Sequence, residues 1–419
     1  MIQTKKREFL KIQGFELLLK DVINAGLCTA CGTCVAVCPK ELITWDRDKE
    51  KPIASVLCKR GCSLCHKVCP GKDIPVPDLE QFIFGRQRNL KDYREYYLGI
   101  SERCLQGYAT DLKVRENGTS GGVVTALLVY GMEKGLIDGA IVAATDATEP
   151  WRTVPKFAIK TEEICKASRS KYVIVPNNIF LREAQKPEVK KLALVGCPCH
   201  IHGLRKIQFL NQPKNIAQKI ELAIGLYCGM NYSFEPTRHL VLERFGLRSL
   251  SQIRRLEYRG GTCNQHFLVE KKDGKIFSMS SDQRKGLFMN MSRERCSMCF
   301  DWAADLADLS LGDMFYPGTT EKVPNLTNIL IRTTKGREWI RNAQRSGYIK
   351  VSPLEMARVF WNTGLEVKKH GSVYRLSERK KMGWPVPDYH LPLGIPPFKK
   401  KKCSASGSEK LLDKRGGKK

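Results

Sequence analysis

From Cys104 onward, short apolar runs alternate with stretches whose apolar residues recur at helical spacing. Gly139-Ala140-Ile141-Val142-Ala143-Ala144, Lys191-Leu192-Ala193-Leu194-Val195-Gly196 and Glu221-Leu222-Ala223-Ile224-Gly225-Leu226-Tyr227 read as buried strands. Val123–Lys134 reads as an amphipathic helix, capped by Thr119 or Ser120 and closed near Gly135. A second helix runs through Leu204 to Leu210, and Phe267–Met279 reads as a hairpin turning at Asp273-Gly274. Alternation of this kind predicts an α/β domain. Ahead of it, Pro75-Val76-Pro77 begins a linker, and a polar, helix-like stretch runs to about Tyr97. The longest apolar candidate for a membrane span, Val123–Tyr130, stops at Gly131 and meets Glu133 and Lys134, so no membrane-spanning segment is predicted.

Cysteine spacing changes this picture before Cys104. Cys28-x2-Cys31-x2-Cys34-x3-Cys38-Pro39 is followed by Cys58-x3-Cys62-x2-Cys65-x3-Cys69-Pro70. The pair resembles the ligand pattern of bacterial two-cluster ferredoxins, in which the fourth Cys of each run serves the other cluster. Cys28, Cys31, Cys34 and Cys69 are then expected to hold one 4Fe–4S cluster, and Cys58, Cys62, Cys65 and Cys38 the other. Zinc is the main rival, but a structural zinc site uses half the thiols present here. Disulfides fit less well: the amino end is charged and leads into no signal-peptide core, which leaves the thiols in a reducing compartment. Cys62-Ser63-Leu64-Cys65-His66 also matches a haem-attachment pattern, which would consume two thiols that the cluster needs. The one departure from ferredoxin spacing is the extra residue between Cys58 and Cys62, where Gly61 can absorb the turn.

The chain has 419 residues, 17 cysteines and a net charge of +28. Its length allows two to three domains. The last residues, from Lys399, carry nine Lys or Arg against two acids, which leaves +21 on the rest. Such a balance is compatible with nucleic acid, but no aromatic-basic or helix-turn-helix signature accompanies it, so an acidic partner or a polyanionic cofactor is the favoured reading. The segment from Phe398 has little to bury and reads as disordered.

A further set of cysteines lies late in the chain. Cys197 and Cys199 follow one predicted strand, Cys228 follows another, and Cys296-Ser297-Met298-Cys299 is a CxxC pair. Ligands collect beyond the carboxyl ends of strands in open α/β sheets, so these thiols can converge. Spacing alone leaves them equally readable as buried small hydrophobes.

Several segments now occur in a telling order. They are Ser120-Gly121-Gly122-x2-Thr125-Ala126-Leu127, Gly196-x-Pro198-Cys199 with Gly203-Leu204-Arg205, Gly225-Leu226-x-Cys228, and Cys296-x2-Cys299 followed by Ala304-Asp305-Leu306-Ala307-Asp308-x3-Gly312-Asp313. Together they resemble the beta subunit of coenzyme F420-reducing hydrogenases and dehydrogenases, over roughly 104–360. The resemblance implies an FAD-containing α/β domain with its own 4Fe–4S cluster, whose ligands would be Cys199, Cys228, Cys296 and Cys299. Cys197 stands where relatives often lack cysteine, and His200 where a Gln is usual. Ser120, Gly121, Gly122 and Thr125 would bind the cofactor, as would Lys171 and Tyr172 in the matching segment Arg169-Ser170-Lys171-Tyr172. A Gly-Gly turn opening a helix also suits a pyrophosphate on physical grounds. Cys104, Cys165, Cys263 and Cys403 have no role in the resemblance and read as ordinary thiols.

The expected fold is therefore a small α+β dicluster ferredoxin domain followed by α/β flavin- and cluster-binding regions. The divisions fall at 1–24 (leader), 25–80 (ferredoxin), 81–103 (linker), 104–190 (flavin-binding region), 191–375 (region with the third cluster) and 376–419 (basic, disordered tail). A flavin converts two-electron hydride chemistry into single electrons, so the expected activity links a hydride carrier such as coenzyme F420 to a redox partner protein or larger complex. A ferredoxin-dependent reductase of a tetrapyrrole-like substrate and a relay subunit without its own substrate are the alternatives. A soluble, cytoplasmic protein able to dock on a membrane complex is expected. No acid–base or nucleophile constellation stands out: Asp305 and Asp308 read as partly solvent-facing, and Asp313 as the aspartate best placed to enter a site.

Overall fold

The computed structural model describes residues 14–394 apart from 55–57, 59, 60, 262–264, 290, 317–321 and 362; Cys263, Cys403 and the basic segment from Phe398 lie outside the described residues. Near the amino end, β1 (Ile43–Asp46) and β2 (Lys51–Ala54) form an antiparallel hairpin. In the body come β3 (Arg103–Ala109), β4 (Gly139–Thr145), β5 (Thr153–Ala158), β6 (Leu192–Gly196) and β7 (Ile220–Leu226). Next, β8 (Ile253–Gly260), β9 (His266–Lys271) and β10 (Ile276–Ser280) make a separate antiparallel sheet, with the expected turn at Gly274. Finally, β11 (Leu309–Phe315), β12 (Lys322–Ile331) and β13 (Ile349–Pro353) complete an eight-stranded sheet ordered β13-β3-β12-β11-β7-β6-β4-β5.

The centre of this sheet, β4-β6-β7-β11, is parallel, and antiparallel strands flank it. A parallel sheet must be covered on both faces, and β6 shows how. Leu192 and Leu194 enter one core, while Ala193 and Val195 enter the other. Helices Val123–Glu133 and Thr334–Arg345 build the second core, where Tyr130 meets Trp339 edge-on at 5.7 Å. Thr119 and Ser120 do not cap the first of these helices, contrary to the sequence reading. Its N-cap is Gly122, because Thr119 Oγ1 accepts from Ser170 N at 2.9 Å and Ser120 Oγ donates to Asp313.

The first core has no gap between the cysteine-rich module and the body. Leu18, Val35, Ile43 and Leu79 belong to the same apolar cluster as Leu194, Leu204 and Ile207. Polar contacts fix the seam. Asn178 Nδ2 donates to Thr33 Oγ1 at 2.8 Å and to His200 O at 2.9 Å. Lys206 Nζ donates to Cys69 O at 3.0 Å and Asp73 O at 2.6 Å, and Arg182 Nη2 to Val35 O at 2.6 Å. Helix Pro198–Leu210 approaches so closely that a Cβ on Gly203 would lie 2.2 Å from Thr33 Oγ1.

A buried ionic node ties distant segments behind this seam. Asp305 faces Arg88 at 2.9 Å, Lys369 at 3.5 Å and Arg332 at 3.7 Å, and Arg88 also meets Glu80 at 2.6 Å. Asp308 is buried too, accepting from Ala223 N at 2.8 Å and pairing with Arg205 at 3.0 Å. Neither aspartate faces solvent, because each neutralises a guanidinium that burial would otherwise strand. The boundaries expected at 81–103 and 376 also fall within packed structure. Tyr96, Tyr97 and Leu98 are buried, and helix Thr363–Lys381 runs across residue 376. Beyond it, buried Tyr389 accepts from Arg295 and Phe300 N, so part of the expected tail is folded. Among the described residues no helix is long and apolar enough to cross a membrane.

Two outcomes are expected. Gly203→Ala should cost about 2 kcal/mol, because the new methyl forces helix and module apart; a chemical-denaturation midpoint measures this. Burial pushes the Glu50 carboxyl up to about 7, against the opposing Phe234 amide and Arg293. A raised carboxyl means the native state holds the extra proton, so stability falls as pH rises from 4.5 through about 7. Glu50→Gln keeps an acceptor for Phe234 N and should stabilise the protein on the order of 1 kcal/mol above pH ~7, allowing for partial exposure, with the gain vanishing below pH ~4.5. Melting curves across pH test it.

Candidate functional site

The two cysteine runs fold so that each lends its last thiol to the other. One pocket, about 320 Å³ including its open mouth, is lined by Cys28, Cys31, Cys34 and Cys69, with Leu18, Val22 and Trp45 as apolar walls. Cys69 lies within electrostatic reach of Cys28 and Cys31, and Cys65 within reach of Cys58, Cys62 and Cys38. Backbone amides point at the sulfurs: Ala30 N at Cys28 Sγ (3.4 Å), Gly71 N at Cys69 Sγ (3.3 Å) and Phe15 N at Cys58 Sγ (3.4 Å). Burial pushes the Cys65 thiol up to about 12 and Cys34 well up, so these sulfurs become thiolates only with a bound cation to compensate. Thiols ringing a pocket, with amides aimed at sulfur, fit a 4Fe–4S cluster. His66 lies on the short helix Leu64–Lys67, beside Asp21 at 3.3 Å.

The late cysteines also converge. Cys199 sits in the first turn after β6, Cys228 just past β7 with its N–H on Trp302 O at 2.9 Å, and Cys296 and Cys299 about a one-turn helix, Glu294–Ser297. Cys199 is within electrostatic reach of Cys228, Cys296 and Cys299, and also of Cys31 in the amino-terminal module. Cys197 is the N-cap of helix Pro198–Leu210, and its thiol faces that of Cys228; this neighbour, with Lys368, holds the Cys228 thiol below its ordinary value against burial. His200 accepts from Cys197 N at 3.0 Å through Nδ1 and faces Val175 O at 2.9 Å through Nε2. Burial holds it down to about 4. A neutral imidazole thereby offers one acceptor and one donor, the same pair an amide side chain would bring. Cys104, buried on β3, and Cys165 stand apart from these sets.

A third region lies at the carboxyl end of the sheet. Gly121 and Gly122 both adopt left-handed backbone, φ +82° and +74°, where a Cβ would strike Asn325 O at 2.8 Å and Val114 O at 2.5 Å. Ser120 Oγ donates to Asp313, and Thr327 Oγ1 to Ser120 O. Thr125 is buried in the first turn of the helix. Through the Thr119–Ser170 bond this turn is tied to the segment carrying Lys171 and Tyr172. Lys171 Nζ is engaged by its own loop, donating to Ala167 O at 2.5 Å, Ser168 O at 2.6 Å and Arg169 O at 3.1 Å, and burial lowers it to about 7.

The cations facing this region come instead from elements that carry no motif. Arg259 meets Asp313 at 2.8 Å, Lys322 meets it at 2.8 Å, and Arg284 lies 4.3 Å over the Tyr172 ring. Burial alone would raise the Tyr172 phenol, yet Lys322, Arg259 and Arg284 hold it below its ordinary value. Asp313 is likewise held low against burial by Lys322 and Arg259. Arg284 is buried, and its Nε and Nη1 have no hydrogen-bond partner among the described residues. A stranded guanidinium beside a left-handed Gly-Gly turn and two further cations suits a phosphate-bearing cofactor. Sequence reasoning missed Arg259, Arg284 and Lys322, single cations on three separate elements. Tyr232 lies between the two regions, within reach of Tyr172 and Arg284 on one side and Cys228 and Cys296 on the other.

Known proteins resemble this chain in sequence and fold. The family description "Coenzyme F420 hydrogenase/dehydrogenase, beta subunit N-term" matches residues 104–182, its C-terminal counterpart matches 189–357, and a 4Fe-4S binding domain matches 21–44. The coenzyme F420-dependent sulfite reductase of Methanocaldococcus jannaschii is 31% identical over 78% of this chain, which spans about half (48%) of that protein's length. A coenzyme F420 hydrogenase subunit beta of Methanothermobacter thermautotrophicus is 27% identical over 69% of this chain and 99% of its own. A chain of the F420-reducing [NiFe] hydrogenase complex from Methanosarcina barkeri superimposes with TM-score 0.58 at 25% identity, covering 70% of this chain and 98% of that one. With both halves of the family matched in order behind a 4Fe–4S domain, this chain belongs to the coenzyme F420 hydrogenase/dehydrogenase beta subunit family.

Proposed function

We propose that this protein is an FAD and iron–sulfur oxidoreductase that passes electrons between a hydride carrier, coenzyme F420, and a redox partner protein. The observation that carries the reading is the continuity of its sites: Tyr232 is within electrostatic reach of both the cationic basin and Cys228, and Cys199 of Cys31. Names of relatives supply the carrier, since the sulfite reductase and the hydrogenase subunits are F420 proteins. Bound FAD would supply the conversion of a hydride into single electrons.

The residues of the chain divide the work. The Ser120–Gly122 turn and the first amides of helix Val123–Glu133 present N–H groups to a pyrophosphate. Arg259, Arg284 and Lys322 outnumber Asp313 there and neutralise phosphate charge. Cys199, Cys228, Cys296 and Cys299 hold a cluster beside Tyr232. Because Cys31 is the ferredoxin ligand that Cys199 senses, the set of Cys28, Cys31, Cys34 and Cys69 is the inner one. The set of Cys58, Cys62, Cys65 and Cys38 is then the outer, beside exposed Gly61, where a partner protein would dock.

Two measurements test this. Anaerobic analysis should find about twelve irons and about one FAD per chain, and Cys228→Ser should lose about four irons while keeping the ferredoxin signals. About eight irons in the unaltered protein would reduce the late cysteines to structural thiols. Loaded protein should bleach oxidised F420 when given a reductant, and regenerate it from the reduced form with an artificial acceptor. A fully loaded protein inert in both directions would point to a relay subunit, or to a reductase of another substrate.

A further inference from the structure

Helix Thr363–Lys381 lies outside the residues that either half of the family description matches. It packs against the one-turn helix Glu294–Ser297 that carries Cys296. Its register is pinned along its length. Glu366 accepts from Tyr93 at 2.5 Å, His370 meets Tyr97 at 2.5 Å, Leu365, Val373 and Leu376 are buried, and Arg379 pairs with Glu294. Two adjacent lysines then point in different directions. Lys369 turns toward the Asp305 node and lies 3.8 Å from the centre of the Phe300 ring. Lys368 donates to Cys228 O at 2.5 Å, and its ammonium is within electrostatic reach of Cys228, Cys296 and Cys299, and of Asp301.

Arg293 and Arg295 are also near these thiols, but their guanidinium groups are committed to the amino-terminal module. Arg293 donates to Cys28 O at 2.6 Å, and Arg295 to Gly71 O at 2.9 Å and Pro70 O at 3.3 Å. Lys368 is the cation brought to the sulfurs by a separate element.

We propose that Lys368 is a positioning residue that sets the reduction potential of the cluster held by Cys199, Cys228, Cys296 and Cys299. This rests on the reading of those four thiols as cluster ligands. Accepting one electron makes a thiolate-ligated cluster one charge more negative, so a fixed neighbouring cation favours the reduced form and raises the potential. Because Lys368 also grips the Cys228 carbonyl, it is held at constant distance from the sulfurs.

An anaerobic redox titration of the full chain, followed by electron paramagnetic resonance with iron analysis in parallel, tests the proposal. In Lys368→Met one of three cluster signals should move to lower potential, its reduced-to-oxidised ratio at fixed poise falling ~10-fold, ~59 mV for one electron. The other two signals should stay in place, and Lys368→Arg should keep the unaltered potential. Full iron content with every potential unmoved in Lys368→Met would overturn the proposal alone. Loss of about four irons in both variants would also overturn it, making Lys368 a clamp rather than a tuning charge. About eight irons in the unaltered protein would overturn it together with the cluster reading beneath it.

Discussion

Asp305 holds three cations that the chain delivers from far apart: Arg88 from the segment after the cysteine module, Arg332 from the end of β12, and Lys369 from the carboxyl-terminal helix. Glu80 pairs with Arg88, and Asp301, which meets His202 at 2.8 Å, lies within electrostatic reach of Lys369 and Arg332, all in a volume closed to bulk water. Such a node adds little net stability over an apolar core, because desolvation consumes most of the Coulomb gain. Its value is conditional. Any one member left without its partners is a stranded buried charge, so the arrangement is tolerable only when all three segments are in place. The cysteine loop at 296–299 lies just ahead of Asp301 and Asp305 in sequence. The node therefore fixes where that loop sits relative to module, sheet and terminal helix.

Parts of this were legible in the sequence because they depend on local chemistry. Spacing of thiols within a run, uninterrupted apolar strands such as Leu192–Gly196, and the Asp273-Gly274 turn are constraints that neighbours along the chain impose on each other. What stayed hidden depends on partners remote in sequence. Thr119 and Ser120 have the composition of helix caps, but Ser170 and Asp313 compete for their hydroxyls and win. The run Ala-Asp-Leu-Ala-Asp-Leu looks half exposed until Arg88, Arg205 and Arg332 are seen to need its carboxylates. Arg259, Arg284 and Lys322 carry no pattern, since each sits on its own element and only the fold makes them neighbours.

The strongly basic composition also acquires a more local meaning. Lys171, Arg182, Lys206, Arg293 and Arg295 donate to backbone carbonyls at turns and seams, doing inside the protein what water does outside. Four of these grip carbonyls in or beside the cysteine runs: Arg293 at Cys28, Arg182 at Val35, Lys206 at Cys69 and Arg295 at Gly71. Positive charge is thereby concentrated where thiolate-bound clusters would bring negative charge. These five cations are a small part of the +28 excess, but their placement has a structural reason that needs no nucleic acid.

The contact between Gly203 and Thr33 bears on how such chains can be rearranged over time. A module joined by a tether can be gained or lost as a unit, because each side keeps its own covered surface. Here helix Pro198–Leu210 has been shaped to the module down to a missing methyl group, and one apolar cluster runs through both. Removing the module would lay bare Leu204, Ile207 and their neighbours as a sticky face in need of another occupant. A descendant could dispense with the module only by recruiting a separate polypeptide to the vacated face, trading an internal seam for a subunit interface.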